Sequence, residues 1–493
     1  MKSPKLQKLY EEWLVEATID EMQGKMESGQ LTSKELTLLY LQRIADYDKS
    51  GPEINSVLEI NPDALQIAEA LDAERAAKGP RGPLHGVPIL VKDNIDTGDK
   101  MHTSAGSLAL AGSSALEDSF VAAQLRKAGA VILGKTNMTE WANFMTENMP
   151  NGYSSRGGQV LNPYSPGKFD VGGSSAGSGA SIAANLAAAA VGTETSGSIL
   201  SPASQNSLVG IKPTVGLVSR TGIIPIAHSQ DTAGPMARTV KDAVYLLTAI
   251  SGVDPTDPAT GKNTDLNGTD FTKFLDSAGL SGKRIGIARE VYFDYISEEK
   301  QEVLNSAIVK LKEAGAEVVE DVVIPSTNED WGYEVLTYEF KADLNAYLSG
   351  LPTKSAVHSL ADVIVFNNQN SSRTLKYGQT LLLESENTSG TLTESGYIHA
   401  LEHDQYFSAI KGIDALLESE QLDAIVFPNN AGAGIPAKAG YPSITVPAGY
   451  TADGEPVGIT FTGTAFSEPL LISIAYGYEQ SALARKAPKL TVK

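Results

Sequence analysis

The 493-residue sequence contains no cysteine. Disulfides, thiolate metal sites, iron–sulfur clusters and a cysteine nucleophile are thereby excluded. Basic residues are scarce: 39 Lys and Arg stand against 59 Asp and Glu, a formal net charge of -20. That field repels phosphate backbones and anionic lipid, so neither nucleic acid nor membrane is expected as a partner. Long apolar runs are missing too. The nearest approach, residues 182–191, is short and almost all alanine, far from the ~20 residues that span a bilayer. Residues 1–22 hold no uninterrupted apolar segment of the kind a signal peptide carries. The expected location is cytoplasmic, with an exported form whose signal has been removed as the alternative. The six histidines (85, 102, 228, 358, 399, 403) include no HExxH pair. His399 and His403, four apart, suit one helix face but lack a clear third ligand, so no metal is expected.

What is present alternates between strand and helix signals. Thr32 and Glu35 form a capping box ahead of Leu36, Leu39, Tyr40 and Ile44, an apolar stripe at helical spacing. A second helix is expected over 62–76, before the turn-forming GPRGP at 79–83, so 1–80 is a helical section. Then Val87-Pro88-Ile89-Leu90-Val91 and Ala130-Val131-Ile132-Leu133 read as buried strands with helical material between them. Such alternation defines an α/β layer architecture. Residues 81–250 form its core, with a helix expected over 180–191 and a strand over 207–211. A polar connection at 252–270 leads to a strand–helix–strand unit over 284–319. A helical excursion is expected over 328–420. Strands return at 424–427 and 443–446, joining the sheet of 87–91, and a helix over 468–485 closes a single domain, 1–493.

Three segments carry chemistry. Lys92 follows an apolar run, so its stem is carried inward. A lysine at a strand end usually snorkels to water; a buried one loses its proton more readily and becomes a base near neutral pH. The run Gly172-Gly173-Ser174-Ser175-Ala176-Gly177-Ser178-Gly179 reads as a flexible loop, or as a rigid one held at a helix start. In Gly192-Thr193-Glu194-Thr195-Ser196-Gly197-Ser198-Ile199, consecutive small residues can turn their N–H groups toward one point, as an oxyanion hole requires.

These segments, with Gly210-Ile211-Lys212-Pro213-Thr214, resemble the amidase signature family in order and spacing. Gly134-Lys135-Thr136-Asn137, Ser219-Arg220-Thr221-Gly222 and Ser229-Gln230-Asp231-Thr232-Ala233-Gly234-Pro235 extend the match. Glu140-Trp141-Ala142-Asn143-Phe144 and Arg156-Gly157-Gly158-Gln159 carry a closer likeness to the bacterial peptide amidases of that family. The resemblance implies a central mixed β-sheet flanked by helices on both faces. It implies an amidohydrolase with Ser198 as acylated nucleophile, Ser174 as proton relay (commonly across a cis peptide bond) and Lys92 as base. The backbone N–H groups of Thr195, Ser196, Gly197 and Ser198 would form the oxyanion hole, and Ser175 would add a hydrogen bond to the triad. No cofactor is implied. The expected partner is a small-molecule or peptide amide, on a monomer or homodimer.

Two departures from the family pattern stand out. Position 196, usually Gly or Asp, is Ser, and the connection over 429–441 is short where many peptide amidases have a longer one walling the cleft. A more open cleft follows. Met138, Trp141 and Phe144 are candidates for the substrate pocket or for core packing. Gly173-x-Ser175-x-Gly177 also fits a nucleophile elbow, but 166–170 is a poor strand to precede one. The alternative function is a glutaminase-type subunit of an amidotransferase, supplying ammonia to a partner.

Overall fold

A computed structural model describes residues 3–491. Its strands are β1 (Val57–Ile60), β2 (Pro88–Lys92), β3 (Val131–Thr136), β4 (Tyr153–Ser154), β5 (Gly158–Gln159), β6 (Ala189–Glu194), β7 (Val209–Lys212), β8 (Thr232–Ala237), β9 (Arg284–Ile287), β10 (Glu317–Val319), β11 (Ala424–Pro428), β12 (Ser443–Tyr450) and β13 (Pro456–Thr462). Eleven of them make one sheet in the order β1-β3-β2-β6-β8-β7-β12-β13-β11-β9-β10, and β4 pairs with β5. The sheet is mixed: β3, β2 and β6 run parallel, as do β11, β9 and β10. The pairs from β6 through β8, β7, β12 and β13 to β11 are antiparallel.

Burial explains the strand sequences. All five residues of β2 are buried, and a parallel strand covered on both faces reads as a continuous apolar run. Helices flank the sheet. Val240–Ile250 packs on β8, Glu468–Ala482 on β12, and the short helix Ala176–Ala183 against β2, β3 and β6. The C-terminal strands β12 and β13 lie between β7 and β11, in the same sheet as β2.

The alanine-rich stretch corrects one expectation. Its composition predicts a helix over 180–191; the helix is Ala176–Ala183 and the chain re-enters the sheet as β6 at Ala189. Alanine's helix propensity is a weak prior, and here the residues pair as a central strand with β2 and β8. Two buried arginines satisfy the carbonyls of the crossing segment. Arg43 donates to Ala184 O and Asn185 O, both at 3.0 Å, and Arg238 to Ala187 O at 2.9 Å. The section 1–80 also supplies β1, an edge strand antiparallel to β3, too short to leave a period in the sequence.

Between 328 and 420 the chain forms helices Glu334–Ser349, Leu360–Gln369, Thr380–Glu386 and Ser395–Gln405, the last continued by Tyr406–Ile413 and Asp414–Ser419, with a short turn at Ser371–Thr374. They enclose a hydrophobic cluster of their own, in which Phe340, Leu344, Leu382 and Tyr397 meet Trp141 and Phe144.

Candidate active site

Strand β2 delivers Lys92 to the interior with no exposed surface. Its Nζ lies 2.8 Å from Ser174 Oγ, 2.8 Å from Thr193 Oγ1 and 3.3 Å from Thr193 O. All three partners are uncharged oxygens. Burial therefore lowers the Lys92 pKa from 10.5 to about 7, and the charges of Glu194 and Asp231 only partly oppose it. Asn94 Nδ2 donates to the same Thr193 hydroxyl at 2.9 Å. Two other lysines are as deeply buried. Lys135 donates to Ile95 O at 2.6 Å and Thr103 Oγ1 at 2.9 Å, and Lys212 to Tyr441 O. Among the described lysines only Lys92 brings its ammonium nitrogen to a serine hydroxyl.

Ser174 follows a cis peptide bond, Gly173–Ser174. The C-terminal end of β3 and the residues just after it, 136–139, hold its loop. Thr139 N donates to Ser174 O at 3.1 Å, Gly177 N donates to Asn137 O at 2.9 Å, and Ser178 Oγ lies 2.7 Å from Thr136 Oγ1. A side chain at Gly177 would put its Cβ 2.2 Å from Asn137 O, so only glycine allows this approach. Ser175 ties this loop to the next one. Its N–H donates to Ser198 O at 3.2 Å and its Oγ to Thr193 O at 3.0 Å. No strand precedes it over 166–172, so the nucleophile-elbow context is not met.

Past β6 the chain turns through 195–198 into the short helix Leu200–Gln205, with Gly197 at φ +81°. Among the described residues the N–H groups of Thr195, Ser196, Gly197 and Ser198 donate to no side chain or loop carbonyl. Ser198 is 7% exposed, and its Oγ has no hydrogen-bond partner among the described residues. Ser196 is exposed. Asn430 and Ala433, from the short 429–441 connection, sit behind Gly197.

Gln230 and Asp231 grip this turn. Gln230 Nε2 donates to Thr195 O at 3.1 Å, and Thr195 Oγ1 donates to Asp231 Oδ1 at 2.5 Å. Asp231 Oδ2 accepts from Ile226 N at 2.9 Å and Ala227 N at 3.0 Å. Burial pushes the Asp231 carboxyl up to about 7, against those bonds. Sequence reasoning assigns no role to Asn94, Thr193, Gln230 or Asp231. Each lies within or beside a motif string, and that adjacency is the available signal.

Ser198 and Ser196 open onto a cleft of about 430 Å³ whose apolar wall includes Phe144, Ile226, Leu336 and Leu381. A second cavity, of about 380 Å³, lies beyond Thr195 and is lined by Asn94, Thr193, Asp231, His228 and Asp343 among others. Of the three pocket candidates, Phe144 lines the cleft and meets Phe340 edge-on at 5.2 Å. Met138 and Trp141 are buried in the surrounding cluster.

The amidase family model matches residues 35–472. A probable amidase of Arabidopsis thaliana is 46% identical over 485 residues, covering 96% of this chain and 91% of the relative. The crystal structure of native peptide amidase from Stenotrophomonas maltophilia superposes with a TM-score of 0.92 at 46% identity, covering 97% of this chain and 99% of that one. A glutamyl-tRNA(Gln) amidotransferase subunit from Synechococcus is more distant, 33% identical with 94% and 97% coverage. The chain belongs to the amidase family. It is a hydrolase acting on amide C–N bonds. No helix among the described residues is long and apolar enough to cross a membrane.

Proposed function

We propose that this chain cleaves carboxamides, peptide C-terminal amides or amides of similar shape, through an acyl-enzyme on Ser198. The observation that carries the reading is the 2.8 Å contact between Ser174 Oγ and a fully buried Lys92 whose pKa lies near 7. Ser198 Oγ attacks the amide carbonyl while its proton passes to Ser174, whose own proton passes to the neutral Lys92 amine. The oxyanion forms against the N–H groups of 195–198. The Lys92 ammonium then returns its proton through Ser174 to the leaving nitrogen, the C–N bond breaks, and ammonia or an amine departs. Water repeats the sequence on the ester and releases the carboxylate. Ser175 acts by holding the two serine loops together.

The amidotransferase reading is less well supported. Free glutamine presents an α-carboxylate that calls for a cation; no Lys or Arg lines the cleft beside Ser198, and Arg220 in the adjoining cavity is already paired with Asp257. The test is hydrolysis by the purified chain alone, without ATP or partner, on peptide amides, anilides and short aliphatic amides. We expect turnover of peptide amides above the other two. Ser198→Ala should lose at least about 10⁴-fold in kcat, and Ser174→Ala about 10²–10⁴-fold. Strict dependence on a partner protein would overturn the hydrolase reading.

A further inference from the structure

His228 lies between two carboxylates of the helix Glu334–Ser349. Its Nδ1 is 3.0 and 2.9 Å from the two Asp343 oxygens, and its Nε2 is 3.4 Å from Glu339 Oε1. Glu339 and Asp343, four residues apart, share one helix face. The backbone joins the contact: His228 N–H donates to Asp343 Oδ2 at 2.8 Å, and Ser229 donates to Glu339 Oε2 from its N–H at 3.0 Å and its hydroxyl at 2.9 Å. Tyr397, on a neighbouring helix, donates to Glu339 Oε1 at 2.8 Å, and Arg220 donates to the His228 carbonyl.

The three side chains have the composition of a metal site. The geometry argues otherwise. Each ring nitrogen faces a different carboxylate, and all four carboxylate oxygens already have protein donors, Asp343 from the His228 N–H and ring and Glu339 from Tyr397 and Ser229. An imidazole facing an acceptor at each nitrogen donates from both when protonated. The Asp343 hydrogen bond raises the His228 pKa, burial lowers it, and Glu339 and Asp343 add attraction against the Arg220 charge.

The residues immediately after this contact are Gln230 and Asp231, which hold the carbonyl and hydroxyl of Thr195. The same helix is anchored further along, where the Tyr347 hydroxyl donates to Asp96 Oδ1 at 2.8 Å. Segment 228–231 is thus hydrogen-bonded at one end to a helix of the excursion and at the other to the turn that carries Ser198.

We propose that His228 and Glu339 are positioning residues for that turn: with Asp343 they clamp segment 226–231 to the helix, and the clamp keeps Gln230 and Asp231 in register with Thr195. The proposal rests on the assignment of the 195–198 N–H groups as the oxyanion hole. Its signature is a loss in kcat without a matching change in KM, because the donors strengthen most against the tetrahedral intermediate. It also adds an alkaline limb to the kcat profile. As pH rises through the raised His228 pKa, the imidazole loses its second donor and the Glu339 contact weakens.

The experiment measures kcat, KM and their pH profiles on a neutral peptide amide for wild type, His228→Gln and Glu339→Gln, with thermal melts as a folding check. Both variants should lose about 10- to 100-fold in kcat, less than the ~10²–10³-fold cost of removing an oxyanion donor outright, with KM little changed. The alkaline limb should vanish in His228→Gln and move to lower pH in Glu339→Gln. If one variant fails to fold, the other carries the test. Wild-type kcat and an unchanged alkaline limb in a folded variant overturn the proposal. Activity persisting in Ser198→Ala would instead overturn the triad, a separate result in a separate protein.

Discussion

Lys92 Nζ and Ser174 Oγ stand 2.8 Å apart in a site where no carboxylate touches the amine. A buried ammonium with only neutral partners keeps its desolvation penalty, so burial wins and the pKa falls to about 7. Activity should therefore rise with pH as Lys92 deprotonates. The expected kcat/KM profile on a neutral amide climbs on its acid side with a midpoint of about 7 and a slope of one proton, ahead of the alkaline limb that His228 adds. Lys92→Arg, which stays charged, should be inactive across the range. A rate that is flat between about pH 5 and pH 9 would remove Lys92 as the base.

The same shift has a stability consequence of the opposite sense to most lysine pairs. The folded pKa is about 7 and the unfolded one 10.5. Between those values the unfolded chain binds more protons, so the folded state gains as pH rises. Below about 7 the burial penalty is felt in full; above 10.5 it is gone. Lys92→Met should be more stable than wild type at acid pH, with the difference shrinking by up to about 1.4 kcal/mol per pH unit across that window. Chemical denaturation of the two proteins at a series of pH values checks it. An advantage that grows with pH would contradict the assigned shift.

Much of this site was legible as motif and little of it as geometry. The inward course of Lys92 follows from the apolar run of β2. Burial alone does not single it out, however, because Lys135 and Lys212 are equally buried and serve as donors within the core. What separates Lys92 is contact with Ser174, and that contact is made by a loop whose shape depends on Asn137 and Thr139. Local sequence cannot encode such an encounter. The alanine run shows the same limit from another side. Its composition favours a helix, yet residues 189–194 pair with β2 and β8 as a strand, and two distant arginines take up carbonyls of the connection before it. The His228 clamp shows in the sequence only as a neighbour of the Ser229–Pro235 string, since its partners lie 111 and 115 residues further on (339 − 228 and 343 − 228).

Thr195 offers a test of the turn that leaves the backbone donors in place. Its hydroxyl is the hydrogen-bond donor to Asp231 Oδ1, at 2.5 Å. Thr195→Val keeps the shape and removes that donor, leaving a buried carboxylate oxygen unpartnered at a cost of about 1–3 kcal/mol. The Asp231 carboxyl, already raised to about 7, should rise further. The stability lost should then be greater at about pH 8, where the carboxylate is ionised, than at about pH 5. Equal losses at both would mean that the bond contributes nothing specific to the ionised form.

Phe144 separates recognition from chemistry. Its ring lines the cleft beside Ser198 and is held edge-on against Phe340, so it offers a substrate apolar contact and no proton, and we expect that contact on the acyl side. Phe144→Ala should remove apolar contact made equally in the ground and transition states, which raises KM and leaves kcat nearly unchanged. The effect should scale with the substrate. Amides with large apolar acyl groups should lose about 10-fold or more in kcat/KM, as expected for about 1–3 kcal/mol of lost contact, while a short aliphatic amide should change little. A uniform loss across both, carried in kcat, would show that Phe144 supports the Ser196–Ser198 turn and would assign acyl recognition to Leu336 and Leu381 on the same wall.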